Sequence, residues 1–117
     1  MNTIQICYDL KDGSEEQYNK LIMGMHTLGK AEHVQYSVWV VQTNMTDIQV
    51  RDRLSIYLKH NDSLFITVIS SFASINVPAK ATNLITNTWN QPKLVINRSI
   101  PNPPPRNRAI NPLRKTY

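Results

Sequence analysis

Residues 30–42 read Lys-Ala-Glu-His-Val-Gln-Tyr-Ser-Val-Trp-Val-Val-Gln. Val34, Tyr36, Val38, Trp39, Val40 and Val41 supply the β-branched and aromatic side chains of a β segment. Thirteen residues exceed an ordinary strand of about five or six, so the segment is predicted to be two strands, or one bent strand, changing direction near Ser37.

Helical patterns flank this segment on both sides. Upstream, Ser14-Glu15-Glu16-Gln17 reads as a capping box, and Tyr18, Leu21, Ile22, Met25 and Leu28 follow on one apolar stripe. Gly29 is placed to end that helix as a left-handed C-cap. Downstream, Thr46-Asp47-Ile48-Gln49 is a second capping box. Its helix is expected to bury Val50, Leu54, Tyr57 and Leu58, to turn Arg51, Asp52 and Lys59 to water, and to close at His60-Asn61-Asp62.

Further out, Ile4, Ile6 and Tyr8 alternate with Thr3, Gln5 and Cys7, the period of a half-buried strand, before a turn at Asp12-Gly13. Leu64 to Ile69 is an apolar run that suits a central buried strand. The order is therefore βαββαβ, which predicts an α+β domain of the ferredoxin-like type: a four-stranded antiparallel sheet with both helices on one face. Pro78 sits at a helix start, Ala79 to Trp89 makes a short third helix with Leu84, Ile85 and Trp89 on one side, and Lys93–Asn97 reads as a short extra strand. The domain is expected over residues 1–97, with a core at 2–70 and an extension at 71–97. Residues 98–117 form an extended basic tail, five prolines between Pro101 and Tyr117 precluding helix or sheet.

Composition narrows the class. The 117 residues are 41% hydrophobic and 18% charged, which suits one globular core. Cys7 is the sole cysteine, so neither an intrachain disulfide nor a multi-cysteine metal site can form; a half-buried structural thiol is expected. Neither a signal peptide nor an apolar run of membrane-spanning length is present, so a cytoplasmic protein without membrane contact is expected and the sequons at Asn44, Asn61 and Asn97 are chance matches. Charge is unevenly divided. Residues 1–62 hold all eight acids and six Lys/Arg, whereas residues 63–117 hold seven Lys/Arg and no acid. Such a cationic end attracts phosphate backbones or another acidic surface, with a strength that falls as salt rises; the alternative is a solvated tail that maintains solubility.

The first strand ending in Tyr8-Asp9, the run Val34-Gln35-Tyr36-Ser37-Val38-Trp39, and a second helix beginning near Thr46 and holding Gln49 resemble the small Cas-two proteins of CRISPR adaptation. The similarity is greater to their VapD-like and SinR-like ferredoxin-fold relatives. It covers about residues 2 to 70; Phe72 to Trp89 fits the SinR-like branch more loosely. The resemblance implies a homodimer formed by sheet-to-sheet or edge pairing, with the terminal aspartate of each first strand near the dimer axis. Nuclease members bind a divalent ion there, so Asp9 becomes the candidate catalytic and metal-binding residue, with Mg²⁺ or Mn²⁺ as cofactor. The structural alternative is that Asp9 simply ends a strand and forms a turn. Where nuclease members often carry a basic residue, this chain has His33, which would meet a phosphate when protonated. Family members also include architectural DNA proteins that cut nothing.

Other motifs weigh less. Gly13, Gly24 and Gly29 are isolated and are read as turn and helix-end residues, not as a phosphate loop. His26, His33 and His60 lack metal-ligand spacing, and no Ser or Cys lies in a nucleophile motif. Tyr36 or Trp39 would stack on bases if outward-facing, although adjacent strand residues point to opposite faces. Pro101-Asn102-Pro103-Pro104-Pro105-Arg106 fits a proline-helix ligand for a protein partner. Arg98, Arg106, Arg108, Arg114 and Lys115 form the anion-binding set. The expectation is a dimeric nucleic-acid-associated protein, with metal-dependent endonuclease action on RNA or DNA as one form of it. The alternatives are a non-catalytic interaction module and a small effector of mobile-element or phage type.

Overall fold

The computed structural model describes residues 1–90. The elements are β1 (Asn2–Asp9), α1 (Glu15–Leu28), β2 (Lys30–Gln35), β3 (Val38–Thr43), α2 (Asp47–Leu54) with a 3₁₀ turn at Ser55–Tyr57, β4 (Ser63–Val68) and α3 (Ala79–Trp89). All strand pairs are antiparallel in the order β2-β3-β1-β4, so the fold is α+β and its order is consistent with the ferredoxin-like type. The predicted strand at Lys93–Asn97 and the tail at 98–117 lie outside the described residues.

Register assigns the two faces. Ile4 lies opposite Val41 and Val68, Ile6 opposite Trp39 and Ile66, and Tyr8 opposite Leu64. Together with Leu21 and Met25 of α1 and Val50 and Leu54 of α2, Ile4, Ile6 and Val41 form a core from which water is excluded. Burying each such side chain is worth about 1.5–3 kcal/mol, which fixes register, since a one-residue slip would turn the set to the other face. That opposite face carries Val40, against which Ala81, Leu84 and Ile85 of α3 pack. The third helix therefore covers β2 and β3 from the side away from α1 and α2, while among the described residues no helix covers the β1–β4 half of this face.

Local signals were met unevenly. At Thr46 the full capping box forms: Gln49 N–H donates to Thr46 Oγ1 (3.1 Å), and Gln49 Oε1 accepts from Thr46 N–H (2.9 Å). At Ser14 only half forms. Gln17 N–H donates to Ser14 Oγ (3.1 Å), but the Gln17 amide Nε2 turns inward to Tyr57 O (3.0 Å) and Asp62 Oδ2 (2.8 Å).

Gly29 is not left-handed but extended, with φ 160°. It is glycine because a Cβ there would strike the Gln42 carbonyl oxygen of β3. Gly24, in mid-helix, is neither a turn nor a helix end; it leaves room for the Tyr57 ring, 2.5 Å from where its Cβ would stand.

The second helix is shorter than expected. It ends at Leu54 and tightens into the 3₁₀ turn, yet Tyr57 and Leu58 still pack against the core. The expected central strand, Leu64–Ile69, is instead at the edge of the sheet formed by the described residues, as β4. Leu64 and Ile66 meet the helices, but Phe65 is 68% exposed because α3 sits over the other half of the sheet.

Candidate functional site

The antiparallel ladder ends where β1 runs out at Asp9, opposite Ser63 of β4. Asp9 is exposed, and its Oδ2 accepts from Lys11 Nζ at 3.1 Å. Lys11 is equally open to solvent, so this pair contributes little to stability.

One residue before Ser63 stands Asp62, which the sequence reading passed over as a helix-closing polar residue. Its Oδ1 accepts from Lys11 N–H (2.9 Å), and its Oδ2 accepts from Lys59 N–H (2.8 Å) and Gln17 Nε2 (2.8 Å). The Lys59 backbone donor, ahead of those from Lys11 and Gln17, holds the Asp62 carboxyl below the usual carboxylate range. Asp62 thereby ties the β1–α1 turn, helix α1 and the loop into β4 together at the foot of Asp9. With three donors already on its two oxygens, it has a structural role and poor capacity for a metal.

Asp9 is thus the open carboxylate at this corner. No group of three or more His, Cys, Asp or Glu side chains able to hold a metal ion occurs among the described residues. A hard cation often takes one or two carboxylates plus waters, and Asp9 with the Lys11 ammonium on the same oxygen is at most half of such a set. Asp9 is the one carboxylate that this corner could offer to Mg²⁺ or Mn²⁺, the remaining ligands being waters or a group from outside the described residues.

His33 lies elsewhere. It sits on β2 opposite Trp39, on the face that carries α1, with β3 intervening before β1. Its Nε2 donates to the Tyr36 carbonyl at 2.6 Å, and its ring stacks on Trp39 at 4.9 Å and 27°. His26 of α1 meets the same indole edge-on at 5.6 Å. The structure does not bring His33 and Asp9 together, and His33 braces the β2–β3 turn. At that turn Tyr36 adopts φ 36° and is 93% exposed, while Trp39 is half-buried against the core. Of the two candidate stacking aromatics, Tyr36 is the one presented to solvent. Arg98, Arg106, Arg108, Arg114 and Lys115 lie outside the described residues.

Around Asp9 on the same face, Cys7 is half-buried and Phe65 of β4 stands opposite it. Burial raises the Cys7 thiol above its usual pKa, with the neighbouring Gln5 amide opposing, so it is a poor nucleophile at neutral pH. Cys7 is the structural thiol that its alternating pattern implied. Phe65 carried no signal in the sequence, because a continuous apolar run conceals which of its members lack a covering layer.

No family model matches this chain, and no curated protein matches it. Among solved structures, the crystal structure of a hypothetical protein, TT1823, from Thermus thermophilus is similar, with a TM-score of 0.53 and 22% identity over 66% of this chain and 94% of that one. The likeness is one of fold. Among the described residues, no helix is long and apolar enough to cross a membrane.

Proposed function

We propose that the protein is a homodimeric, nucleic-acid-associated protein of the Cas-two, VapD and SinR-like kind, whose dimer forms at the Phe65–Asp9 end of the β1–β4 half of the sheet and leaves the Gln5–Thr67 end open. The partition of charge carries the nucleic-acid part of this reading. Residues 1–90 hold eight acids and seven Lys/Arg, whereas residues 91–117 add six Lys/Arg and no acid. A near-neutral folded body joined to a purely cationic segment suits a phosphate backbone, which it would grip independently of sequence. Exposed Phe65 and half-buried Cys7 support the dimer, because an apolar patch on a sheet face is stabilised by burial against a copy of itself.

A second reading, metal-dependent phosphodiester cleavage, is favoured by the exposure of Asp9 at the end of β1. A divalent ion shared between two such carboxylates would supply a polarised water and neutralise developing charge on phosphate. In this reading the Lys11 ammonium must first leave the Asp9 oxygen, since it occupies the position a cation would take.

The test uses the full chain with labelled RNA and DNA in Mg²⁺ or Mn²⁺, beside Asp9→Ala and Asp9→Asn. Binding should weaken steeply with salt, as expected for about five phosphate contacts, and be unaltered by either substitution. Absent or salt-insensitive binding refutes the nucleic-acid reading. Cleavage abolished by both substitutions supports the second reading; cutting equal to the parent removes Asp9 from it, and no cutting leaves the protein a non-catalytic binder.

A further inference from the structure

On the α3 side of the sheet a half-open cleft of about 540 Å³ lies beside the uncovered patch. Its floor is Gln5 of β1, Val38 of β3 and Thr67 of β4; its walls are Phe72 and Ile75 of the segment after β4, and Ile85 of α3. Ser70, Ser71 and Ser74 also line it, as does Thr82, whose hydroxyl donates to the Ala79 carbonyl of its own helix. Among the described residues, none that lines it carries a charge. That composition selects the ligand. A phosphate, carboxylate or ammonium buried here would lose its hydration with no counter-charge in return. A purely aliphatic ligand would strand the amide and hydroxyl groups of the lining without partners. What fits is a flat, neutral body with hydrogen-bonding edges.

The fixed geometry favours the same class. Thr67 Oγ1 donates to Gln5 Oε1 at 3.1 Å, which tethers the carbonyl end of the Gln5 amide and leaves its donor end away from Thr67, on the side of Cys7. Phe72 is half-buried, with its ring 5.6 Å from that of Trp89 at 55°, and packs against the cluster of Val40 and α3. A ring braced in this way is an aromatic wall in the same cleft as a tethered amide, the kinds of group by which proteins hold an unstacked base. The volume falls within the range of about 300–1,000 Å³ usual for small-ligand sites, enough for a base with its ribose while the phosphates remain in water.

We propose that this cleft binds an unpaired nucleobase, so that the protein grips single-stranded nucleic acid by a base as well as by its backbone. This deepens the nucleic-acid reading and rests on it for the source of the base. The probes are free adenosine, guanosine, cytidine and uridine, and a short single-stranded RNA beside the same strand with abasic sites at its centre. With isotope-labelled full chain, at least one nucleoside should shift the amide resonances of Gln5, Thr67 and residues 70–74 while leaving Met23 and Ile48 unmoved. The abasic strand should bind about tenfold more weakly than the intact one. Ile75→Trp, at a position 83% exposed and therefore tolerant of change, should fill the cleft and abolish this difference; Thr67→Val should reduce it. If no nucleoside produces a shift and the two RNAs bind equally, the cleft is not a base site, although backbone binding stands. If nucleosides bind and neither RNA does, the site stands and the nucleic-acid reading fails.

Discussion

If the proposed dimer forms, Phe65→Asp should dissociate it while leaving each protomer folded. The ring is 68% exposed on the face of β4 that α3 does not cover. An aromatic side chain buries about 200 Å² when enclosed, so about 140 Å² of this one is available to a partner. Two copies across a twofold axis provide about 280 Å², worth about 7 kcal/mol at the usual hydrophobic coefficient. Association entropy and imperfect enclosure take much of that; half of it, about 3.5 kcal/mol, still corresponds to roughly 300-fold in Kd. The substitution also places two carboxylates near one axis, an added repulsion. Sedimentation velocity over a concentration series measures the change, and circular dichroism verifies the fold. Met23→Asp is the matched control, because Met23 is also 68% exposed but lies on α1, on the other side of the sheet. An unchanged Kd for Phe65→Asp, or dissociation by Met23→Asp, refutes the placement of the interface.

Gly29→Ala should destabilise by about 3 kcal/mol, since its Cβ meets the Gln42 backbone carbonyl and the β2–β3 ladder must give way; Gly24→Ala should cost far less, because only the Tyr57 ring has to move and alanine favours the helix. Urea denaturation ranks the two, and equal costs would refute the distinction between backbone and side-chain obstruction. Thr46→Ala should lose about 1 kcal/mol through the completed capping box, measured in the same way. Asp62 has a folded pKa below its unfolded value of about 3.9, so its stabilisation is present above that pH and is lost as pH falls through the folded value. Asp62→Asn should therefore flatten the acid limb of a stability-versus-pH curve; an acid limb identical to the parent's would remove Asp62 from this role.

Short-range chemistry was legible in the sequence. The Thr46–Gln49 box, the turn at Tyr36-Ser37, the alternation of β1 and the third helix at Ala79–Trp89 each depend on neighbours a few residues apart, and each formed. What was hidden depended on distant partners. Gln17 looked like a capping residue, but a carboxylate 45 residues along the chain drew its amide away. Gly29 looked like a C-cap, but the strand opposite it dictates its small size. The run Leu64–Ile69 looked central because apolar periodicity records that a strand is covered without recording whether a helix or another molecule does the covering. At the site, Asp9 was visible as the residue ending β1, whereas Asp62 and Phe65 acquire their meaning only from what surrounds them. His33 was read toward phosphate, and its hydrogen bond to Tyr36 and stacking on Trp39 place it in the hairpin instead.

The central claim is that two copies meet so that their first-strand aspartates lie close together. Spin labels on Asp9→Cys in a Cys7→Ser background, read by pulsed dipolar spectroscopy on the full chain, test it directly. The account predicts one narrow distribution at short separation that disappears on dilution with unlabelled protein. A monomer without dipolar coupling, or a long and broad separation, would contradict it.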